Sequence, residues 1–303
     1  MVIREASESD IDGILKVLKA SLGEVSSKKT REVWNYKHIN NPFGKSLVLI
    51  AIVDGKIVGV RAFMRWQWQL GSGTYSCFRA VDTATDPNFQ GRGIFKKLTL
   101  MALDLGVDEK SNFVFNTPNS QSRPGYIKMG WKIVGKVPVY ISPYFNLNMN
   151  KPSNKIENGN ISDDFLIKHK TNQIDTQKLF TPKDANFLFW RYRECPLQKY
   201  LIYENKNLFI AAYVKEHKHF KELRISELIG DLSDKKIHKR VILWARNFDV
   251  NIITSGTKIF QFGIKGGFGP VLTLKKLKLD PKKEESLLGI NNWNNSIGDL
   301  ELF

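Results

Sequence analysis

Cysteine is nearly absent from this chain: Cys77 and Cys195 are the two among 303 residues, and they stand far apart. That excludes a disulfide framework and a cysteine-built zinc site, and reduced thiols inside a cell are the simplest expectation. Histidine is also sparse, at five residues. His217 and His219 fall in the charged stretch 215–222 and read as a solvated strand end, so no metal is expected. Long apolar runs are missing. The longest, Leu47 to Val53, is too short to span a bilayer, so no membrane span is expected. Met1-Val2-Ile3-Arg4-Glu5 lacks the apolar core of a secretion leader, and a cytoplasmic location is expected. Two phosphate-binding fingerprints fail on spacing. The dinucleotide pattern Gly-x-Gly-x-x-Gly would need glycine where Lys96 stands, and Gly44-Lys45-Ser46 has Ile39 where a P-loop needs its first glycine.

What is abundant is positive charge. The formal net charge is +16, divided evenly between residues 1–143 and the rest. Such a balance suits an anionic ligand, either a phosphate-bearing cofactor or nucleic acid, and equally a soluble basic surface. The hydrophobic fraction of 42 % and the aromatic fraction of 12 % support packed cores. The length fits two domains of ordinary size. Residues 141–160 are rich in asparagine and poor in large apolar side chains, which marks a boundary.

The order of elements is legible from periodicity. A strand at 2–6 precedes a helix whose Ile11, Ile14, Leu15 and Leu18 recur at helical spacing. A second helix covers 30–40. Strands at 47–53 and 56–70 flank the turn pair Asp54-Gly55. In the second of these Arg61, Arg65, Gln67 and Gln69 share one face, and Ala62, Met64, Trp66, Trp68 and Leu70 share the other. A strand at 74–85, a helix at 91–107, a strand at 113–117, a helix ending at Gly130 and an extended piece at 132–140 follow. The second half repeats the order: a helix at 179–192, a hairpin of 199–204 with 208–215, a strand at 223–232, a helix at 235–247 and a strand at 251–255. Gly125–Trp131 and Phe262–Phe268 both read as helix end, glycine, aromatic, which points to a duplicated fold.

The stretch that carries chemistry is Thr83-Ala84-Thr85-Asp86-Pro87-Asn88-Phe89-Gln90-Gly91-Arg92-Gly93-Ile94-Phe95. A strand ends, the chain turns, and two glycines open a helix. Glycines allow a tight turn and close approach of a ligand. The first amides of a helix lack internal acceptors, and together with the helix dipole they form an anion site. Arg92, Lys96 and Lys97 add positive charge, and a pyrophosphate is the natural guest. Taken alone, a glycine pair before a helix is no more than a permissive turn.

Gln90-x-x-Gly93-x-Phe95 resembles the coenzyme A signature of the GNAT superfamily of N-acetyltransferases, with Phe95 where that family carries a small residue. Asn119-x-x-Ser122-x-x-x-Tyr126-x-x-x-Gly130-Trp131 resembles that family's second motif, with Ser122 and Trp131 as conservative departures. The resemblance covers about residues 1–143. It implies an α/β fold (an α+β mixed sheet) in two tandem GNAT-like domains: a catalytic domain over 1–143, an Asn-rich linker over 144–163 and a degenerate domain over 164–303. It further implies that the main chain of Thr83, Ala84 and Thr85 pairs with the pantetheine amides. Gln90, Gly91, Arg92, Gly93, Ile94 and Phe95 would cradle the pyrophosphate, and Asn116 and Asn119 would touch the pantetheine arm. Tyr126 would protonate the leaving thiolate, a role that a phenol of comparable pKa suits. Acetyl-coenzyme A or another acyl-coenzyme A is then the co-substrate. The acceptor expected with it is a small-molecule amine such as an amino sugar, a reading that rests on the basicity of the cleft alone. Asp82 is a candidate general base, with water as its alternative. The oligomeric state stays open.

Two further readings remain. Enzymes that pass an amino acid from charged transfer RNA also use tandem domains of this fold, although they do not need the pyrophosphate turn. A non-catalytic acyl-coenzyme A binding or nucleic-acid binding module is the other; no aromatic-basic RNA motif favours it.

Overall fold

The hairpin around Asp54-Gly55 sets the architecture. Both residues take positive φ, 49° and 74°, as a two-residue turn joining twisted strands requires. They connect β2 (Leu47–Val53) to β3 (Lys56–Leu70), and β3 pairs along its length with β4 (Gly73–Thr85). The computed structural model describes residues 1–24, 28–144 and 177–300. The linker expected over 144–163 lies outside the described residues except for Tyr144.

The described residues form two units, 1–135 with 270–293, and 136–269 with the residues from Asn294 on. In the first unit β1 (Val2–Glu5), β2, β3, β4, β5 (Phe113–Asn116), a late strand and β6 (Lys132–Lys136) make a seven-stranded mixed sheet. Alternation along β2 divides its core. Ile50 joins Val60 and Ala84 under α1 (Ile11–Leu22) and α2 (Arg31–His38). Leu49 and Ala51 join Phe63 and Phe78 under α3 (Ile94–Asp108) and α4 (Arg123–Lys128). Each such aliphatic side chain contributes about 1.5–3 kcal/mol when fully buried. Gly59 lets α3 sit close, since a Cβ there would lie 2.6 Å from Ile94 Cγ2.

The second unit is a six-stranded sheet of β7 (Val139–Pro143), β8 (Leu201–Asn205), β9 (Leu208–Glu216), β10 (Lys221–Gly230), β11 (Ile252–Ser255) and β12 (Ile264–Gly266). Its core gathers around Trp244 on α6 (Lys235–Ala245). The helix expected over 179–192 starts later. Asp184 caps α5 (Ala185–Leu188), and a π-helical turn, Phe189–Arg193, follows; Pro182 cannot continue a helix on its N-terminal side.

Two strands lie where the order of the sequence does not put them. The extended piece at 132–140 is two strands, and the later one, β7, pairs with β11 and β12 in the second sheet. Conversely β13 (Val271–Lys276) enters the first sheet beside β5, Thr273 opposite Asn116. A division at residue 143 therefore cuts across both sheets. The likeness of 262–268 to 125–131 does not extend to structure. Gly125–Trp131 closes a helix, whereas Ile264–Gly266 is a strand and Phe262 is 85 % exposed.

Candidate active site

The centre of the first sheet is a fork. β4 runs parallel to β5 over Cys77–Arg79, opposite Phe113–Phe115. Beyond that point β4 continues to Thr85 with β3 alone beside it: Arg61 faces Thr83, Val60 faces Ala84 and Gly59 faces Thr85. Among the described residues the open edge of β4 there has no strand partner for its main-chain groups, the kind of edge an extended amide-bearing ligand can join. A bulge opens the fork. Asp82 is the extra residue, at φ 37°.

Buried charge holds that bulge. The Asp82 carboxylate takes a short bond from Lys37 Nζ and lies 2.9 Å from His38 Nε2; His38 Nδ1 lies 2.9 Å from Ser46 Oγ. Burial opposes ionisation of Asp82, but Lys37 and His38 outweigh it and hold the carboxyl well below its ordinary range. Burial pushes the His38 imidazole down despite its bond to Asp82. The ring is therefore neutral, donating from Nε2 to Asp82 and accepting from Ser46 at Nδ1. Asp82 is thus committed to α2, on the face away from α3 and α4, and is no free base. Thr83 Oγ1 donates to Val60 O at 3.3 Å, and Ala84 is buried under α1 and α2.

The turn after β4 leads into an uncapped helix. Gln90 Nε2 holds Thr85 O at 3.2 Å. Gly91 and Gly93 have φ of 76° and 73°, and an added Cβ would meet nothing within 4 Å at either. Backbone conformation, not crowding, requires glycine at both. Gly93 occupies the N-cap without a side-chain cap. The first helical bond is Lys97 N–H to Gly93 O at 3.0 Å, which leaves the amides of Ile94, Phe95 and Lys96 ahead of the ladder. Residues 90–93 are exposed, Ile94 is buried and Phe95 is half-buried. Arg92 stacks over Phe89 at 4.9 Å, and Lys96 and Lys97 are exposed. This is an open turn of the kind that can take an anion.

α4 brings Tyr126 to the same cluster. Its ring meets Phe95 edge-on at 5.6 Å and Trp131 at 5.1 Å. Its hydroxyl accepts a hydrogen bond from Arg61 Nη1 at 2.6 Å, so the partner is a guanidinium and not the backbone. Arg61 is 0 % exposed and its Nε and Nη2 have no partner among the described residues. Its guanidinium carbon lies 4.8 Å from the Phe63 ring centroid, 5.7 Å from that of Phe95 and 5.2 Å from that of Tyr126. Sequence reasoning placed Arg61 with Arg65, Gln67 and Gln69 on one face of the strand and gave it no role in the site. Its signal is one charge inside Val58–Met64, a run otherwise without a polar side chain, since arginine is almost never fully buried unpaired. The two asparagines are occupied otherwise. Asn116 Oδ1 takes a short bond from Thr273 of β13. Asn119 Oδ1 accepts from the amides of Gln121 and Ser122 at 3.1 and 2.8 Å, closing the turn before α4.

The second sheet repeats the fork. β10 runs parallel to β11 over Glu222–Ile225, opposite Ile252–Ser255, and a bulge follows at Ser226. A cavity of about 220 Å³ opens there, between Ser226–Gly230 and Ser255–Thr257, with Lys183 and Asn295 in its wall. The helix beyond is closed, however. Asp234 caps α6 by accepting from Lys236 N at 2.8 Å. Among the described residues no group of three or more His, Cys, Asp or Glu could hold a metal, and no helix is long and apolar enough to cross a membrane.

Residues 2–134 match the family model described as an acetyltransferase (GNAT) domain. No curated protein matches the chain. Among solved structures, the chain is similar to a conserved protein of unknown function from Enterococcus faecalis, at a TM-score of 0.69 and 8 % identity over 91 % of this chain and 72 % of that one. A GCN5-related N-acetyltransferase from Anabaena variabilis gives 0.60 and 12 % over 91 % and 72 %. Eis1 from Mycobacterium abscessus gives 0.60 and 12 % over 91 % and 74 %. At such identities the likeness is one of fold, and it extends over both sheets. Residues 2–134 carry the GNAT acetyltransferase domain that this model describes.

Proposed function

We propose that the first unit transfers an acyl group, acetyl in the simplest case, from acyl-coenzyme A to the amine of a small molecule. One observation carries the reading: an exposed, uncapped helix N-terminus with two glycines at positive φ lies directly after a forked strand. The site fits a coenzyme A diphosphate. Bare amides at Ile94, Phe95 and Lys96 would hold its oxygens, with Arg92 and the neighbouring lysines adding charge. The open edge of Thr83, Ala84 and Thr85 would take the pantetheine amides. Asn116 and Asn119 keep only their amide NH₂ groups for that arm, because both side-chain oxygens are engaged.

The amine nitrogen attacks the thioester carbonyl carbon, the C–S bond breaks with its electron pair going to sulfur, and the thiolate takes a proton from Tyr126 Oη. The proton shed by the nitrogen returns to the phenolate through solvent. With Asp82 committed to Lys37 and His38, water or the acceptor's own equilibrium supplies the base. An amino sugar is one acceptor of the right chemistry.

The test pairs binding with turnover. Acetyl-coenzyme A should raise the melting temperature, and thiol release should follow with one of a panel of small amines. Tyr126→Phe should keep the melting shift and lower turnover by about tenfold or more. A melting shift without release, for every amine and with the wild-type chain, would leave a binding module. A shift with transfer RNA and none with acetyl-coenzyme A would overturn the proposal.

A further inference from the structure

The fully buried Arg61 has no role in the reading above. A guanidinium out of water is costly unless an anion answers it, and among the described residues no carboxylate does. Its one hydrogen bond is to Tyr126 Oη, at 2.6 Å. Three aromatic rings, Phe63, Phe95 and Tyr126, surround the rest of the group.

We infer that Arg61 is the positioning residue of Tyr126: it fixes the direction of the hydroxyl proton and holds the counter-charge for the phenolate that forms when that proton leaves. The inference rests on the acyl-transfer reading of Tyr126. Arginine can only donate. With Nη1–H filling one lone pair of Oη, the tyrosine proton cannot point at Arg61 and must point away from it. Tyr126 Oη has no other hydrogen-bond partner among the described residues, so its proton is uncommitted. When the C–S bond breaks, the sulfur gains the electron pair and takes that proton, and the negative charge moves to Oη, beside a cation already in place. A charge set before the reaction needs no reorganisation during it, and it acts strongly where water is excluded.

The departure at Phe95 packs against this pair. The family carries a small residue there. Here the ring covers the Arg61–Tyr126 pair, edge-on to Tyr126 at 5.6 Å. Gly125 leaves the room it needs, since a Cβ at 125 would stand 3.2 Å from Phe95 Cε1. Arg61, Phe95, Gly125 and Tyr126 thus pack as one assembly.

The experiment measures acceptor-free thiol release from acetyl-coenzyme A, with water as the acyl acceptor, in the intact chain. Arg61→Met should lower kcat by about tenfold or more, as is expected of Tyr126→Phe, while KM and the melting shift with acetyl-coenzyme A hold. The double variant should be no slower than either single one, because the pair acts as a unit. Arg61→Lys, which keeps the charge, should recover part of the loss. The readout without substrate is ¹³Cζ-tyrosine NMR of the free protein. The resonance missing in Tyr126→Phe should move in Arg61→Met. If Arg61→Met does not fold, Arg61→Gln takes its place, since it keeps a donor and loses the charge. Wild-type kcat in the neutral variant, beside a slowed Tyr126→Phe, would overturn the inference and leave the acid role of Tyr126 standing. Unchanged release in Tyr126→Phe would instead remove that role, and the inference with it.

Discussion

The two sheets fork in the same way and end differently. In each, a central strand leaves its parallel neighbour at a bulge, Asp82 in the first and Ser226 in the second. In each, a lysine ahead of the sheet's first hairpin grips a carboxylate at that bulge. Lys37 holds Asp82, and Lys183 holds Glu227 at 2.6 Å together with Asp299. The helices that follow differ. α3 begins at Gly93 with bare amides, whereas α6 begins under the carboxylate of Asp234. A carboxylate already seated on those amides takes the place of a phosphate and repels another. The fork is therefore a property of the fold, and the open helix end is a property of the site.

The largest effect should come from the shared part. Lys37→Met and Lys183→Met each strand a buried carboxylate, and each should cost about 3–5 kcal/mol in chemical denaturation. A loss confined to one of them would show that the two bulges are not held alike.

Acid should dismantle the first network by the same route. His38 titrates below its ordinary 6.5 when folded. The unfolded chain thus takes its proton first, and stability falls as pH drops through that value toward the folded one. Asp82 titrates well below its ordinary 3.8. Its contribution is full above that value and is lost as pH falls further. A pH series of denaturation midpoints should decline toward acid, and Asp82→Asn should flatten the part below pH 4. A rise toward acid would contradict both directions.

Next in size is the part that differs. Gly93→Val forces a β-branched residue into the left-handed region, at about 1–2 kcal/mol, and should weaken acetyl-coenzyme A binding by about tenfold or more. The smallest effect belongs to the closed helix. Asp234→Ala should cost about 1 kcal/mol of stability and leave acetyl-coenzyme A binding unchanged.

The local parts of this comparison were open to sequence reasoning. The run from Thr83 to Phe95 contains strand end, turn and helix start within thirteen residues, and each signal is a backbone preference of the residue itself. Asn119 to Trp131 is equally local, and in both cases the helix lies where the pattern put it. The rest depends on partners distant in the chain. β13 reaches β5 across more than 150 residues, from Asn116 to Thr273, and no periodicity announces which sheet a strand will join. The aromatic and glycine likeness of 262–268 to 125–131 is compositional, and the later segment is an extended edge with Phe262 exposed. Arg61 was visible as a charge in an apolar run, but its meaning depends on Tyr126, 65 positions away. Asp82 read as a candidate base, and the Lys37 and His38 that hold it precede it by more than forty residues.

The most direct measurement is calorimetric titration of the whole chain with acetyl-coenzyme A, beside Gly93→Val and Asp234→Ala. One site per chain, weakened by about tenfold or more in Gly93→Val and untouched by Asp234→Ala, is the predicted result. Wild-type affinity in a folded Gly93→Val, or a second equivalent bound in the unit whose helix Asp234 closes, would contradict it.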